Sequence, residues 1–251
     1  MKDFENKNAL ITGSSQGIGL AIARTLASRG AAVTLNYPRE VDRNAAEAAV
    51  LAIRDAGGRA IAVMADITRQ ADIVRLFDEA EAAHGRLDFV VANAGGNIRH
   101  ATLEQSTEEL WDAVNALNAR STFFIFQQAA ARLNDNGRIV GMSSSTTRLP
   151  YPGTAIYAGA KAAIEQYCKT ISKEIGHRGI TVNSVAPGMT DTEGLRASTV
   201  PMERYDIVKS ITPLGRVGLA QDVADTVIMV LGRDAHWLTG QHINAGGGAF
   251  H

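Results

Sequence analysis

The chain has 251 residues, of which 45% are hydrophobic and 20% are charged, and its formal net charge is −1. This length suits one large α/β domain or two small ones, and the near-neutral charge gives no reason to expect a nucleic-acid partner. The six histidines show no ligand spacing, so no metal site is expected, and the single cysteine, Cys168, is predicted to be a small buried residue. We find no signal peptide and no apolar run of membrane-spanning length, and therefore expect a cytoplasmic protein without a membrane partner.

Short apolar runs alternate with helical patterns along the chain. The runs predict strands at residues 9–12, 32–36, 60–65, 87–92, 138–142 and 180–185. The patterns between them predict helices at residues 18–28, 44–56, 70–83 and 155–176. A further long helix is predicted to run toward Leu133, opened by a capping box of Ser106 and Glu109.

Near-continuously apolar strands that alternate with helices are typical of a parallel sheet buried on both faces. We therefore predict an α/β fold, a doubly wound parallel sheet of about seven strands with helices on both faces. No break in composition marks a second domain, so residues 1–251 are expected to form a single domain.

The turn after the first strand carries three glycines. Gly13 allows a tight turn, Gly17 lets the backbone approach a pyrophosphate, and Gly19 lets the helix pack close to the strand. The following helix N-terminus offers amide donors and a partial positive charge to that anion. A glycine trio alone could be just a tight connection, but its place after the first strand predicts a Rossmann-type dinucleotide site. The segment reads Thr12-Gly13-Ser14-Ser15-Gln16-Gly17-Ile18-Gly19.

The second strand bears on the choice of dinucleotide. A site for NAD usually has an acidic residue about 20 residues after the first glycine, where it binds the ribose hydroxyls. Here no acidic residue occurs between Gly13 and Glu40. Asn36 would not repel a 2′-phosphate and Arg39, after Tyr37 and Pro38, could pair with it, so NADP(H) is favoured over NAD(H). Arg39 as a plain surface residue is the alternative, and Gln16, where a basic residue would favour NADP, argues the other way.

Tyr157 and Lys161 are four residues apart in a predicted helix, so their side chains stack on one face. An ammonium beside a phenol favours the phenolate, so the pair predicts a lowered tyrosine pKa and a general acid or base. Ser144, at the end of the fifth strand, could face the tyrosine and hold a substrate oxygen. A solvated helix with an incidental pair is the alternative, because this spacing is common by chance.

These motifs together resemble those of the short-chain dehydrogenase/reductase family, and the resemblance covers essentially the whole chain. The glycine spacing is that family's form, with three residues between the first two glycines and one between the last two. Asn93-Ala94-Gly95 resembles the family's NAG motif. The family's catalytic positions are matched by Asn118, Ser144, Tyr157 and Lys161. Further matches occur in Pro187-Gly188-Met189-Thr190-Asp191-Thr192, in residues 213–216 and in residues 238–241.

The resemblance implies a role for each catalytic position. Tyr157 would donate a proton to the carbonyl oxygen during reduction, or accept it during oxidation. Lys161 would lower the tyrosine pKa and bond the nicotinamide ribose. Ser144, chosen over its serine neighbours for its spacing to Tyr157, would polarise and position the substrate oxygen. Asn118 would distort its helix and support a water relay to Lys161.

The same resemblance implies a set of residues around the cofactor. Asp66, with Ile67 beside it, would meet the adenine, and residues 93–95 would line the ribose side. Plainer alternatives exist, since Asn118 could merely kink a helix and Asp66 could merely cap the next one. The predicted cofactor-binding residues are Gly13, Ser15, Gln16, Gly17, Ile18, Gly19, Asn36, Tyr37, Arg39, Asp66, Ile67, Asn93, Ala94, Gly95, Tyr157, Lys161, Pro187, Gly188, Thr190 and Thr192.

The sequence departs from the family pattern in places. Residues 244–248 read Asn-Ala-Gly-Gly-Gly where Val-Asp-Gly-Gly is common, and Thr190 replaces a branched aliphatic residue. The chain resembles 3-oxoacyl-(acyl-carrier-protein) reductases, which implies an acyl-carrier protein as a partner, but the absence of their Lys/Arg cluster argues against such docking. The thinner basic patch that remains would consist of Arg132, Lys169, Lys173 and Arg178.

Substrate choice is expected to depend on residues 96–100, residues 146–154 and a probable lid at 193–211. Met202 and Tyr205 are candidate lid contacts. Arg99 and Arg148 could attract an anionic group, although isolated arginines are more often solvated.

Three hypotheses follow. The first is an NADP(H)-dependent reductase of ketones carried as 3-oxoacyl thioesters. The second is the same chemistry on a free small or polycyclic ketone, a sugar or a secondary alcohol. The third, a dinucleotide-binding regulator without turnover, is disfavoured by the intact catalytic set. The resemblance also implies a homotetramer of D2 symmetry, built partly from the two long helices around Asn118 and Tyr157.

Overall fold

The structure, a computed structural model, describes residues 2–197 and 202–250, without the side chain of Met202. The strands are β1 (Asn8–Ile11), β2 (Ala32–Tyr37), β3 (Arg59–Met64), β4 (Phe89–Ala92), β5 (Arg138–Met142), β6 (Thr181–Pro187), β7 (Thr190–Asp191), β8 (Gly218–Leu219) and β9 (His242–Ala245). The α-helices are α1 (Gly17–Ser28), α2 (Arg43–Asp55), α3 (Gln70–His84), α4 (Glu108–Asn115), α5 (Ser121–Arg132), α6 (Ala155–Ile175), α7 (Glu193–Arg196), α8 (Met202–Ile211) and α9 (Ala220–Leu231).

Seven strands form one parallel sheet in the order β3-β2-β1-β4-β5-β6-β9, which confirms the predicted doubly wound fold. The chain order reverses at β1, since β2 and β3 lie on one side of it and β4 lies on the other. Such a reversal opens a crevice at the carboxyl ends of β1 and β4, where ligands bind in open α/β sheets. A separate two-residue ladder joins β7 and β8.

Alternate residues of each strand supply two hydrophobic layers. Ile11 of β1 lies in the layer with α1, α2 and α9, whereas the neighbouring Leu10 lies in the layer with α3, α5 and α6. Because helices cover both faces, the strands are apolar at nearly every position. Cys168 of α6 is buried in the second layer, and burial raises the pKa of its thiol to about 12. The thiol is therefore protonated at neutral pH.

The predicted start of the long helix is wrong by one residue. Helix α4 begins at Glu108, and the Thr107 hydroxyl caps it by accepting from the Leu110 N–H at 3.3 Å. Ser106, predicted to be the cap, instead donates to the Thr102 carbonyl at 2.9 Å and closes the preceding turn. The segment then continues toward Leu133 as two α-helices rather than one, because a π-helical turn lies between α4 and α5.

None of the described helices is long and apolar enough to cross a membrane. The described His, Cys, Asp and Glu side chains also form no cluster that could hold a metal ion. The lid predicted at 193–211 includes α7 and α8, while its residues 198–201 lie outside the described part of the chain.

Candidate active site

The crevice between β1 and β4 is tied together by two polar side chains. Thr12 Oγ1, just after β1, accepts from the backbone N–H groups of Asn93 and Ala94, each at 3.1 Å. The Asn93 side-chain amide donates to the carbonyl oxygens of Thr12 and Gly13 at 2.9 and 3.0 Å. These bonds fix the glycine turn against the segment that follows β4. Thr12 was not among the predicted cofactor-binding residues, although a hydroxyl at the end of an apolar strand is a signal for such a role.

Two glycines of the turn have no room for a side chain. A Cβ at Gly13 would lie 2.8 Å from Ala94 Cβ, and one at Gly19 would lie 2.5 Å from Gly13 O. Gly13 also has a φ of +60°, which glycine adopts without strain. The backbone therefore packs closely around the N-terminus of α1. This shape, with amide donors at its edge, fits a dinucleotide pyrophosphate.

One of those donors already has an acceptor within the protein. The Gly17 N–H donates to the Glu193 carboxylate at 3.1 Å, from the first residue of α7. A pyrophosphate would compete with Glu193 for this hydrogen bond. Sequence patterns gave no sign of the contact, because it joins residues 176 positions apart. The other predicted residues of the turn are partly buried, in the case of Ser15 and Ile18, or exposed, in the case of Gln16.

The residues predicted to select the dinucleotide have very different surroundings. Asn36 is buried, with its Oδ1 accepting from Gly13 N–H at 3.1 Å and its amide donating to neighbouring backbone carbonyls. It therefore supports the glycine turn directly. Tyr37 is also buried. The Arg39 side chain is 72% exposed and its guanidinium is ion-paired with the Asp42 carboxylate at 3.1 Å, so a 2′-phosphate would compete with Asp42 for it.

Asp66 and Ile67 follow β3 at the same edge of the sheet. The Asp66 carboxylate accepts from the Thr68 N–H and hydroxyl at 3.0 and 2.7 Å, and its own N–H donates to Asp72. Ile67 is buried. The structure thus gives Asp66 a turn-forming role before α3, and its contact with an adenine stays a prediction.

Asn118 lies in the π-helical turn Ala116–Arg120, which is the local distortion expected of it. Its buried side chain accepts from Gly96 N–H at 3.0 Å and donates to Gly96 O at 3.0 Å. A Cβ at Gly95 would lie 2.6 Å from Asn118 Oδ1 and 2.8 Å from Lys161 Nζ. Asn118 and Lys161 therefore pack directly against the segment that follows β4.

Helix α6 carries Tyr157 and Lys161 on one face, with Lys161 Nζ 5.7 Å from the centre of the tyrosine ring. The ammonium donates to the Met142 carbonyl at the end of β5, at 2.8 Å. Ser144 follows β5, and its Oγ accepts from the Thr146 N–H at 3.2 Å and is hydrogen-bonded to the Tyr157 phenol. The fold thus brings together the four residues that the sequence predicted to be catalytic.

The predicted lowering of the Tyr157 pKa is wrong for this structure. Burial raises the pKa of Tyr157, and the hydrogen bond with Ser144 opposes that rise only in part. Burial also lowers the pKa of Lys161 to about 8. The reason is geometric, because the ammonium donates to Met142 O rather than to the phenol, so desolvation outweighs its attraction for a phenolate.

The depressed pKa of Lys161 makes a prediction about stability. In the unfolded chain this pKa returns to about 10.5, so between pH 8 and pH 10.5 the unfolded state binds more protons than the folded state. The free energy of unfolding of the wild type therefore rises as the pH increases through this interval. Relative to Lys161→Met, the wild-type free energy of unfolding should increase by about 2.5 kcal/mol from pH 7 to pH 10. Urea unfolding of both proteins at the two pH values measures this change. A difference that is independent of pH would contradict the depressed pKa.

The segment predicted to hold the nicotinamide carboxamide leaves the end of β6 at Pro187. A Cβ at Gly188 would lie 2.9 Å from Gly246 Cα, close to the C-terminus. Thr190 Oγ1 donates to Gly188 O at 2.9 Å, and Thr192 Oγ1 caps α7. The unusual C-terminal glycine sequence therefore packs directly against this segment.

The three segments predicted to contact substrate meet at Tyr151. The Arg204 guanidinium of α8 lies 3.2 Å from the centre of the Tyr151 ring, and His100 meets the same ring edge-on at 6.1 Å. Arg204 belongs to the predicted lid, in which Tyr205 is half-buried and the Met202 side chain lies outside the described structure. Aromatic and cationic side chains thus join the three segments predicted to contact substrate.

Arg99 and Arg148, the two arginines predicted to attract an anionic group, have different surroundings. Arg99 is exposed. Arg148 Nη2 lies 3.0 Å from the Glu165 carboxylate, so its charge is compensated within the protein.

A partly buried tyrosine with a serine, a lysine and an asparagine, beside a glycine-lined crevice, fits a nicotinamide-dependent oxidoreductase. The chain belongs to the short-chain dehydrogenase/reductase family and is an NAD(P)-dependent enzyme of that family. A family model described as enoyl-(acyl carrier protein) reductase matches residues 13–249.

Curated relatives match nearly the whole chain. A hydroxynaphthalene reductase-like protein Arp2 of Metarhizium brunneum is 40% identical over 99% of this chain and 96% of its own. The short chain dehydrogenase mdpC of Emericella nidulans is 38% identical over 98% of this chain and 96% of its own.

Solved structures match equally well. A short chain dehydrogenase from Burkholderia cenocepacia, in complex with NADP, is 36% identical with a TM-score of 0.91, and the match covers 98% of this chain and 99% of that one. The angucycline C-6 ketoreductase LanV with bound NADP is 36% identical with a TM-score of 0.91, and covers 98% of this chain and 96% of its own.

Proposed function

We propose that the protein uses NADPH to reduce a ketone on a free fused-ring compound to a secondary alcohol, with Tyr157 as the proton donor. The convergence of the partly buried Tyr157 with the buried Ser144, Lys161 and Asn118 beside the glycine crevice is the observation that carries the reaction type. The names of two similar proteins, a hydroxynaphthalene reductase-like protein and an angucycline ketoreductase, support the substrate class.

Each part of the crevice would hold a different part of the cofactor. The glycine turn would hold the pyrophosphate, residues 93–95 would line the ribose, and residues 187–192 would meet the carboxamide. Once bound, the nicotinamide supplies the hydride that the carbonyl carbon accepts.

The proton would come from the Tyr157 hydroxyl. Its raised pKa keeps the phenol protonated at neutral pH, as a donor in the reductive direction must be. Ser144 would hold the same substrate oxygen. Lys161, with a pKa of about 8, is mostly charged at pH 7 and would stabilise the phenolate left after transfer. Asn118 would keep the loop at Gly96 in place through its paired amide bonds.

The proposal is tested by the loss of NADPH absorbance with two ketones in parallel, a tetralone and a simple 3-oxoacyl thioester. We expect faster turnover with the tetralone. Faster turnover with the thioester would favour the acyl-reductase hypothesis. Turnover of neither ketone, by protein that binds NADPH, would count against the proposed substrate class.

The preference for NADPH is proposed to depend on Arg39. A guanidinium on the 2′-phosphate contributes on the order of 1.5–3 kcal/mol, so Arg39→Ala should raise KM for NADPH about tenfold or more. KM for NADH, which lacks this phosphate, should change little. Arg59→Ala is the control, because Arg59 is exposed at the amino end of β3, whereas Arg39 follows the carboxyl end of β2. Equal changes for both cofactors in Arg39→Ala would refute the assignment.

A free substrate is favoured over one delivered by a carrier protein. Two guanidiniums of the thin basic patch are compensated by nearby carboxylates. Arg132 is ion-paired with Asp78 and Glu81, and Arg178 lies 2.8 Å from Asp135. Compensated charges of this kind offer an acidic carrier protein a weak docking surface.

We also propose that the protein is a homotetramer. Trp111 of α4 and Phe123 of α5 are exposed and line an apolar groove with Tyr167 of α6. Exposed aromatic patches mark contact surfaces, and these helices flank Asn118 and Tyr157. Light scattering of the full chain measures the assembly.

A further inference from the structure

A cluster of polar side chains lies behind Ser144, one helical turn beyond Lys161 on α6. Its centre is Glu165, whose side chain is only 6% exposed. Ser143 Oγ donates to Glu165 Oε1 at 2.8 Å, and Arg148 Nη2 lies 3.0 Å from Glu165 Oε2. A carboxylate this deeply buried is stable only while its partners stay in place.

The two partners of Glu165 stand on either side of Ser144 in the chain. Between them lies the segment 143–148, which leaves the end of β5 and forms a single short helical turn at Ser145–Thr147. One carboxylate therefore joins both ends of this segment to α6. Because α6 also carries Tyr157, Glu165 fixes the serine hydroxyl relative to the phenol.

His242 of β9 approaches the cluster from the edge of the sheet. Its Nε2 lies 3.6 Å from Glu165 Oε1, beyond hydrogen-bond distance, and its Nδ1 lies 2.9 Å from Ser184 Oγ. Burial lowers the pKa of His242, so the ring is neutral at pH 7 despite the nearby carboxylate. Arg148 is therefore the cation that balances Glu165.

We infer that Glu165 is a positioning residue that holds Ser144 in place through Ser143 and Arg148. This inference rests on the proposed function, since it takes Ser144 to be the group that holds the substrate oxygen. Displacing a reacting group by about 1 Å can cost on the order of a hundredfold in rate. Loss of this clamp should therefore lower kcat, while the glycine turn after β1 is left intact.

A double-mutant cycle tests whether Glu165 acts through Ser144. We expect Glu165→Gln to lower kcat about tenfold or more, with NADPH affinity unchanged. Added to Ser144→Ala, the same substitution should cost little more, because the group it positions is already gone. Losses that multiply, or a Glu165→Gln variant as active as the wild type, would overturn the inference. Glu174→Gln is the control, an exposed glutamate on the same helix.

A second readout is independent of turnover. Amide hydrogen exchange of residues 143–149 should become faster in Glu165→Gln, because one end of the segment loses its charged anchor. Arg148→Met, which removes the half-exposed partner of the same ion pair, should give the same result and serves if Glu165→Gln does not fold. Unchanged exchange in the folded variants would overturn the inference.

The two readouts separate this inference from the proposed function. Faster exchange in a protein that reduces no ketone would mean that the function is wrong and the clamp is real. If the wild type is active, Tyr157→Phe is inactive and hydrogen exchange is unchanged in the Glu165 variants, then the proposed function is right and the clamp is not.

Discussion

Tyr157→Phe should lower kcat about a thousandfold while NADPH binding is retained. The substitution removes only the phenolic oxygen, which we propose as the source of the proton. The ring keeps its packing against Lys161, so the fold and the crevice should be preserved. Turnover is measured by NADPH absorbance, and binding by the change in NADPH fluorescence on titration.

The matched control is Tyr167→Phe, on the same helix ten residues further on. The Tyr167 ring packs against Phe123 at 5.5 Å, on the outer groove, and the substitution should leave kcat unchanged. Unchanged turnover in Tyr157→Phe would refute the mechanism. Retained NADPH binding with abolished turnover would also exclude a regulator that only binds the dinucleotide.

Gly95→Ala should lower kcat/KM on the order of a hundredfold or more. The added methyl group would lie 2.6 Å from Asn118 Oδ1 and 2.8 Å from Lys161 Nζ, so both side chains must move. Asn118 is held by Gly96 and Lys161 by Met142, and neither can retreat without losing a buried hydrogen bond. The loss should therefore appear in turnover and in NADPH affinity together, as measured by the same two assays.

The neighbouring glycine provides a close control. A Cβ at Gly96 would meet nothing within 4 Å, so Gly96→Ala should be close to wild type. Equal losses in both variants would show that the loop needs flexibility rather than space. A fully active Gly95→Ala would contradict the packing of Asn118 and Lys161 against this loop.

The fold and the main site residues were predictable because they depend on local patterns. Apolar runs fix the strands, and parallel pairing then places the residues that follow β1, β4 and β5 at one edge of the sheet. The edge strand β9 was not placed, since it has four residues and is only partly buried. The N-cap at Thr107 was not predicted because Ser106 and Thr107 are adjacent and either hydroxyl could cap the helix. Their surroundings in the fold decide which of them does.

The energetics of the site were less predictable, because they depend on burial and long-range contacts. The four-residue spacing of Tyr157 and Lys161 suggested a lowered tyrosine pKa, but the spacing does not show that the phenol is desolvated or that the ammonium bonds Met142. The clamp formed by Glu165 and the contact between Glu193 and Gly17 likewise join distant residues. No local pattern encodes such pairs.

The most direct test of the central claim is transfer of deuterium from NADPH dideuterated at C4 to a tetralone. Mass spectrometry of the alcohol shows whether the carbinol carbon has gained the label. We predict one deuterium at that carbon with the wild type, and about a thousandfold slower formation of the alcohol with Tyr157→Phe. Alcohol without the label, or labelled alcohol formed equally by both proteins, would contradict hydride transfer assisted by Tyr157.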